Sequence, residues 1–373
     1  MRIALVRARY NPYGGAERFV ANALTALQLP GIQLTIVTRA WQEQAGISAL
    51  VVNPFHVGNL WRDWSFARAV CRAIGEQKFD LVQSHERIAC CDVYRAGDGV
   101  HREWLTQRRR SQGFRGRVSV AVNPYHHYML WAEKALFSSG KLKAVICNSA
   151  MVKDEIQRYF NLPDAKCHVI YSGVDSERFS PQLRASHRQS FRARFGVPSD
   201  ATMYLLVGSG FERKGVSQFL RALSRLPADC HGAVVGTDKR QARYERDASR
   251  LGIGERVRFA GGLEDVAPAY GAADVFVLPA LYDPFPNAAL EAMASGLPII
   301  ASLQSGVAEL IRDGDNGYRC DALNVAALAR HMDTLRFAGQ RDAMGLAARN
   351  TVLPFTFDAM AGKLAALYRG LLG

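Results

Sequence analysis

Short apolar segments alternate with stretches of helical periodicity along this chain, and the alternation starts afresh near residue 200. Residues 3–6 read as a buried strand, 7–15 as a loop and 16–29 as a helix. Further strands are expected at 33–38, 79–83 and 144–148, with a helix at 61–76. In the second half, strands are expected at 204–207, 232–235, 257–260, 275–278 and 299–300. Helices at 216–224, 244–251 and 266–271 separate them. A helix between two strands carries the chain back to the start of the sheet, so the strands run parallel and need cover on both faces. The expected class is therefore α/β, with two doubly wound, Rossmann-like domains. A length of 373 residues also exceeds one ordinary core. The polar, glycine-containing stretch 170–181 is the expected join. It gives a first domain over 1–170 and a second over 171–355. The tail, 356–373, carries an amphipathic helix at 357–372 that has no strand after it and is expected to return to the first domain.

Composition narrows the class without naming a function. Hydrophobic content of 49% and charged content of 22% suit a globular protein. No apolar run is long enough to span a bilayer, and the first seven residues lack the features of a signal peptide. Seven scattered cysteines show no metal-ligand spacing, so reduced thiols in a cytosolic compartment are expected. A net charge of +13 leaves nucleic acid, an anionic membrane and polyanionic substrates open.

The stretch 283–298, Asp-Pro-Phe-Pro-Asn-Ala-Ala-Leu-Glu-Ala-Met-Ala-Ser-Gly-Leu-Pro, carries the most chemistry. Pro284 and Pro286 hold the approach extended, a helix runs from about 287 to 295, and Gly296 with Pro298 stops it. The amides of Asn287, Ala288 and Ala289 then form an anion-binding helix end. Asp283 lies just before that end and Glu291 one turn inside it. This order of acid, anion hole and acid suits a diphosphate flanked by two hydroxyl-rich rings.

Other motifs surround it. Gly14-Gly15 between strand and helix permits close backbone approach to a phosphate, or is simply a tight turn. It is not the dinucleotide fingerprint, and no acid ends the second strand. Arg213 and Lys214, after Val207-Gly208-Ser-Gly210, can neutralise a leaving diphosphate. Cations are unfavourable at a helix start, which argues against mere solvated charge. Asp98 lies between glycines at a strand end, where it either orients a sugar hydroxyl or caps a turn; His85 and His101 are alternatives. Residues 102–137 combine Arg102, Arg108, Arg109, Arg110, Arg115 and Arg117 with Tyr125, Tyr128 and Trp131. That mixture suits an anionic membrane surface or RNA, or is an exposed charged loop leading into a core helix. No recognised nucleic-acid module accompanies it, so nucleic acid is not expected. Asp313-Gly-Asp315 reads as a turn, and no metal is expected there.

Taken in order, these pieces resemble the retaining glycosyltransferases of the GT-B fold, family 4. The likeness spans nearly the whole chain. Its most specific part is Asp283-x7-Glu291, supported by Val207-Gly208, Lys214-Gly215, residues 272–279 and residues 313–317. The resemblance implies two Rossmann-like domains facing across a cleft. Glu291 would hold the ribose of a nucleotide sugar and Asp283 would meet hydroxyls of the transferred sugar. Arg213 and Lys214 would clamp the diphosphate with Gly15 and the amides near Ala288, and Gly262 and Leu263 would lie near the base. No cofactor or metal is implied. Two departures stand out: the family carries Glu where this chain has Asp283, and Arg where it has Ser209. A narrower likeness, carried by residues 92–98 and 208–216, is to the glucosyltransferases of the lipopolysaccharide core, in which Asp98 replaces the family's histidine. It implies a UDP-sugar donor, UDP-glucose, and a lipopolysaccharide core acceptor. It also implies peripheral attachment to the cytoplasmic face of the cell membrane through residues 102–137. The alternatives are a glycolipid or exopolysaccharide transferase using GDP-mannose or UDP-N-acetylglucosamine, or a basic membrane- or RNA-binding protein with an inactive fold.

Overall fold

A computed structural model describes residues 2–8, 33–41 and 48–372, apart from the side chains of Arg115, Arg117 and Leu372. Its contacts divide the chain into two units: Met1–Gly173 with Phe357–Gly373, and Val174–Thr356.

The first unit holds β1 (Arg2–Val6), β2 (Gln33–Thr38), β3 (Ser48–Val51), β4 (Leu81–Ser84), β5 (Val93–Ala96), β6 (Ala144–Cys147) and β7 (Cys167–Val169). They form a sheet in the order β3-β2-β1-β4-β5-β6-β7, each pair parallel. The central strands β4, β5 and β6 are buried along their whole length, as a sheet covered on both faces requires. One face packs on Phe66, Val70, Leu136, Phe137, Val152 and Ile156 from the flanking helices. The other face is covered by the C-terminal helix, Phe357–Leu372. Its Met360, Leu364 and Tyr368 recur every fourth residue, share one stripe, and pack on Ile3, Leu81, Val93, Ala144 and Ile146.

The second unit holds β8 (Thr202–Val207), β9 (Cys230–Val235), β10 (Val257–Gly261), β11 (Val275–Leu278), β12 (Ile299–Ser302) and β13 (Gly317–Cys320). Their order is β10-β9-β8-β11-β12-β13, again parallel. Asp274, just before β11, is fully consumed beneath this sheet. It accepts the Met203 amide at 2.8 Å and pairs with Arg192 at 2.7 Å and Arg188 at 3.0 Å.

Several expectations need correction. Strands β3, β5, β7 and β13 are additional: each is only three or four residues long, too short for periodicity to distinguish from a loop. Cys71 and Cys90 form a disulfide that ties the Gly58–Glu76 helix to the β4–β5 connection, so the expectation of uniformly reduced thiols fails. Cys91, Cys147, Cys167, Cys230 and Cys320 remain free and buried. Pairing was invisible in the sequence because the partners meet only when the helix packs on the sheet. The basic segment, for which a charged loop leading into a core helix was one of the readings, is two helices, His101–Ala121 and Pro124–Phe137. Gly113, at φ 58°, kinks the first. That helix begins without a cap of its own: the Glu133 carboxylate from the second helix accepts the His101 amide at 2.6 Å and the Arg102 amide at 3.3 Å. The helix expected at 16–29 lies outside the described residues.

Candidate active site

In an open parallel sheet, ligands bind beyond the carboxyl ends of the two strands where the connection reverses direction. In the second unit those strands are β8 and β11. Beyond β8 the chain passes through Gly208 and Gly210 into a one-turn helix, Phe211–Lys214. Beyond β11 it runs extended through Pro286 into the helix Asn287–Ala294. The two connections meet: the Leu281 amide donates to the Arg213 carbonyl at 2.8 Å, and Lys214 Nζ lies 2.6 Å from Asp283 Oδ2. Both charged residues are buried, Lys214 at 9% exposure and Asp283 at 4%. Gly208, at φ 151°, makes room for the lysine, since a Cβ there would meet Lys214 Cε at 2.6 Å. The Asp283 backbone is held on both sides. Its amide donates to the Gln304 carbonyl at 3.0 Å, and its carbonyl accepts from Gly306 at 2.9 Å.

Glu291, at 7% exposure, lies inside the Asn287–Ala294 helix and accepts a hydrogen bond from the Tyr270 hydroxyl at 2.9 Å. Tyr270 was not singled out in the sequence, where it reads as one more core aromatic. Gly262 and Leu263 follow the end of β10, and Gly262 sits against Thr237 beyond β9. Ser209, in the place of the family's arginine, accepts the Thr237 amide at 3.1 Å and so joins the β8 and β9 loops.

Two expectations about this region change. Arg213 and Lys214 do not open a helix: they close the Phe211–Lys214 turn, where cations are favourable, before Gly215 starts the next helix. Their location in the motif therefore no longer argues against solvated charge. The separation of their surroundings does: Lys214 is buried in an ion pair, while Arg213 is half-buried and makes no ion pair among the described residues. The Ala289 amide is not open to an anion either. It donates to the Pro286 carbonyl at 3.0 Å, because the first turn of the helix is tightened. Asp313 and Asp315 are turn residues paired with Arg319 and Arg312.

In the first unit the reversal falls between β1 and β4. Beyond them, Glu86 accepts the Ala8 amide at 3.0 Å and stands 3.7 Å from Arg7. Burial raises the Glu86 carboxyl above its ordinary value, opposed by Arg7 and assisted by Asp98 and Asp63. Glu86 was missed in the sequence, where a single acid after a strand carries no spacing signal. Asp98 is exposed in the turn after β5. His101 is neutral, its imidazole held down to about 3 by burial, with Arg87, His126 and Arg108 adding to the effect. Its Nε2 lies 3.1 Å from Nδ1 of His126. Gly14 and Gly15 lie outside the described residues.

Two parallel α/β sheets with these strand-end sites define the class of nucleotide-sugar glycosyltransferases with the GT-B fold. The family described as glycosyl transferases group 1 matches residues 187–350, and glycosyltransferase family 4 matches residues 13–178. Between them they account for most of the chain, which belongs to this family of retaining, metal-independent enzymes. Among individual relatives, the chain is similar to the lipopolysaccharide glucosyltransferase WaaG of Escherichia coli K12. The two are 27% identical over 324 residues, which is 85% of this chain and 84% of that protein. The crystal structure of a WaaG glycosyltransferase involved in lipopolysaccharide biosynthesis superposes with a TM-score of 0.85 at 24% identity, over 99% of this chain and 100% of that one. HepE of Anabaena, in complex with UDP-glucose, has a TM-score of 0.77 at 20% identity, over 99% and 100% of the two chains. The last two likenesses concern the fold.

Proposed function

We propose that this enzyme transfers glucose from UDP-glucose to a sugar of the lipopolysaccharide core, with retention. The single observation that carries the site is the buried Lys214–Asp283 pair at the reversal point of the second sheet, beside the helix that bears Glu291. The similarity to the E. coli glucosyltransferase supports the donor and acceptor.

In this reading Glu291, oriented by Tyr270, accepts hydrogen bonds from the ribose hydroxyls. Arg213, which makes no ion pair among the described residues, and Lys214 meet the diphosphate. When the donor arrives, Lys214 exchanges part of its hold on Asp283 for phosphate oxygens. Asp283 is then freed to accept from hydroxyls of the transferred sugar. As the anomeric carbon–oxygen bond breaks, charge accumulates on the leaving phosphate, and the two cations stabilise it in place of a metal. The acceptor hydroxyl attacks from the same face and passes its proton to that phosphate. Gly262 and Leu263 would face the base, Gly14, Gly15 and the Ala288 amide the diphosphate, and Asp98 the donor sugar or the acceptor.

The protein would work on the cytoplasmic face of the cell membrane, attached through the two helices of residues 102–137. Phe114 and Trp131 are exposed there at 79% and 62%, and Arg109 and Arg110 are exposed as well. Among the described residues no helix is long and apolar enough to cross a membrane.

Mass spectrometry of donor consumption, with UDP-glucose, GDP-mannose and UDP-N-acetylglucosamine each offered with truncated lipopolysaccharide, tests the reading. Transfer from UDP-glucose to the truncated core is expected. Preference for another donor would replace the donor assignment, and no consumption of any donor, with retained binding to vesicles or RNA, would favour the inactive-fold reading.

A further inference from the structure

Beneath the β1–β4 reversal point lies a buried hydrogen-bond chain that begins in the C-terminal helix. Tyr368, 2% exposed, stands on the stripe of that helix that covers the sheet. Its hydroxyl donates to Oε1 of Gln83, a fully buried residue of β4. Gln83 Nε2 in turn lies 3.2 Å from Nε2 of His85. An amide nitrogen only donates, so His85 Nε2 must accept, which puts the imidazole proton on Nδ1.

His85 is the first residue beyond β4, and its amide donates to the Val6 carbonyl at 3.0 Å, which fastens it to the end of β1. The next residue is Glu86, which holds the Ala8 amide. The chain of hydrogen bonds therefore runs from a helix packed on the sheet to the floor of the strand-end crevice. The surroundings agree with a neutral ring: burial, then the charges of Arg95 and Arg7, hold His85 well below its ordinary value. Arg95 also acts on Tyr368, whose phenol burial keeps protonated and hence able to donate.

We propose that Tyr368 and Gln83 are positioning residues: together they fix His85 as the Nδ1–H tautomer and thereby set the floor on which the acceptor sugar binds. The inference rests on the proposed function for the acceptor itself, which it takes to bind at the β1–β4 crevice of the first unit. A side chain that reports on the strand end through two intermediaries has no need to touch substrate. Its loss should alter acceptor binding and leave the donor half of the reaction, in the other unit, alone.

The test uses the full chain labelled with 15N-histidine, with His85→Asn assigning the resonance. Long-range proton–nitrogen correlation is expected to show a bare Nε2 and a protonated Nδ1 for His85 in the wild type. Gln83→Glu, whose carboxylate only accepts, should move the proton to Nε2. Tyr368→Phe keeps the ring in its apolar bed but releases Oε1 of Gln83, so a mixture of tautomers is expected. Both variants should raise the acceptor KM by about five-fold, the scale of one internal hydrogen bond, with donor hydrolysis unchanged. A protonated Nε2 in the wild type would overturn the chain as drawn. So would Tyr368→Phe with both tautomer and acceptor KM unchanged. The tautomer is read without substrate, so a wild-type protein that transfers to no core sugar counts against the proposed function and leaves the spectra to decide the relay.

Discussion

Lys214 and Asp283 set what a single residue can change here. Each is buried and each satisfies the other, so removing one strands a charge. Lys214→Ala is expected to abolish transfer and also to cost about 3–5 kcal/mol of stability, the usual penalty for breaking a buried pair. Lys214→Met combined with Asp283→Leu should recover most of the stability and none of the activity. Thermal unfolding alongside donor consumption checks both, and a double variant no more stable than Lys214→Ala would show that the pair is not the source of the loss. For Glu291→Ala the expectation is a donor KM raised by about tenfold or more, since a hydrogen bond to a charged group contributes about 1.5–3 kcal/mol. The residues of this region were legible in the sequence because carboxylates, cations and helix-breaking residues have few reasons to recur at that spacing. Their pairing was not. Lys214 and Asp283 are 69 positions apart, and only the adjacency of β8 and β11 brings them within 2.6 Å. Tyr270 and Glu86 were illegible as site residues for the same reason: no local pattern marks them, and His85 was named only as an alternative to Asp98.

At the level of elements, short connections are held by backbone close approach. Gly215 has φ 75°, and a Cβ there would lie 1.8 Å from the Pro279 carbonyl oxygen. Gly252 has φ 72° and open space around it. Gly252→Ala is therefore expected to cost about 1 kcal/mol from backbone strain alone, and Gly215→Ala clearly more, with loss of transfer; paired denaturant titrations compare them. The two helices of the basic segment have a different sensitivity. His101 takes up a proton near 6.5 in the unfolded chain and near 3 in the folded one. Between those values the unfolded state binds more protons, so this contribution is fully present above pH 6.5 and is lost progressively as pH falls toward 3. Denaturant midpoints from pH 7 to pH 4 should decline less steeply in His101→Asn than in wild type; equal slopes would remove His101 as a source. The first of these helices escaped the sequence reading, which assigned no secondary structure to the basic segment and kept a charged loop leading into a core helix as one alternative. Its first turn is capped by Glu133, 32 residues downstream of His101, and a cap supplied from another helix leaves no mark next to the helix it caps.

Across the whole molecule, the chain leaves the first unit after Gly173 and returns to it at Phe357. The returning helix buries Met360, Leu364 and Tyr368, each contributing about 1.5–3 kcal/mol if a large side chain is fully removed from water. Truncation before residue 357 should expose the face formed by Ile3, Leu81, Val93, Ala144 and Ile146 and melt the first unit, while the second keeps its transition. Calorimetry that finds both transitions unchanged would deny the helix this role. Thiol titration of the unreduced, denatured chain should give five free cysteines rather than the seven in the sequence. By itself the sequence determined the α/β class, the two parallel sheets and the residue types gathered beyond β8 and β11, because strand and helix periodicity and helix-terminating residues act over a few positions. Tertiary structure alone decided which distant groups meet: the Cys71–Cys90 bond, the Lys214–Asp283 pair, the orientation of Glu291 by Tyr270 and the reach of Tyr368 to the end of β4. Those contacts depend on which strands lie side by side, and strand order is set by packing the whole sheet rather than by any one segment of it.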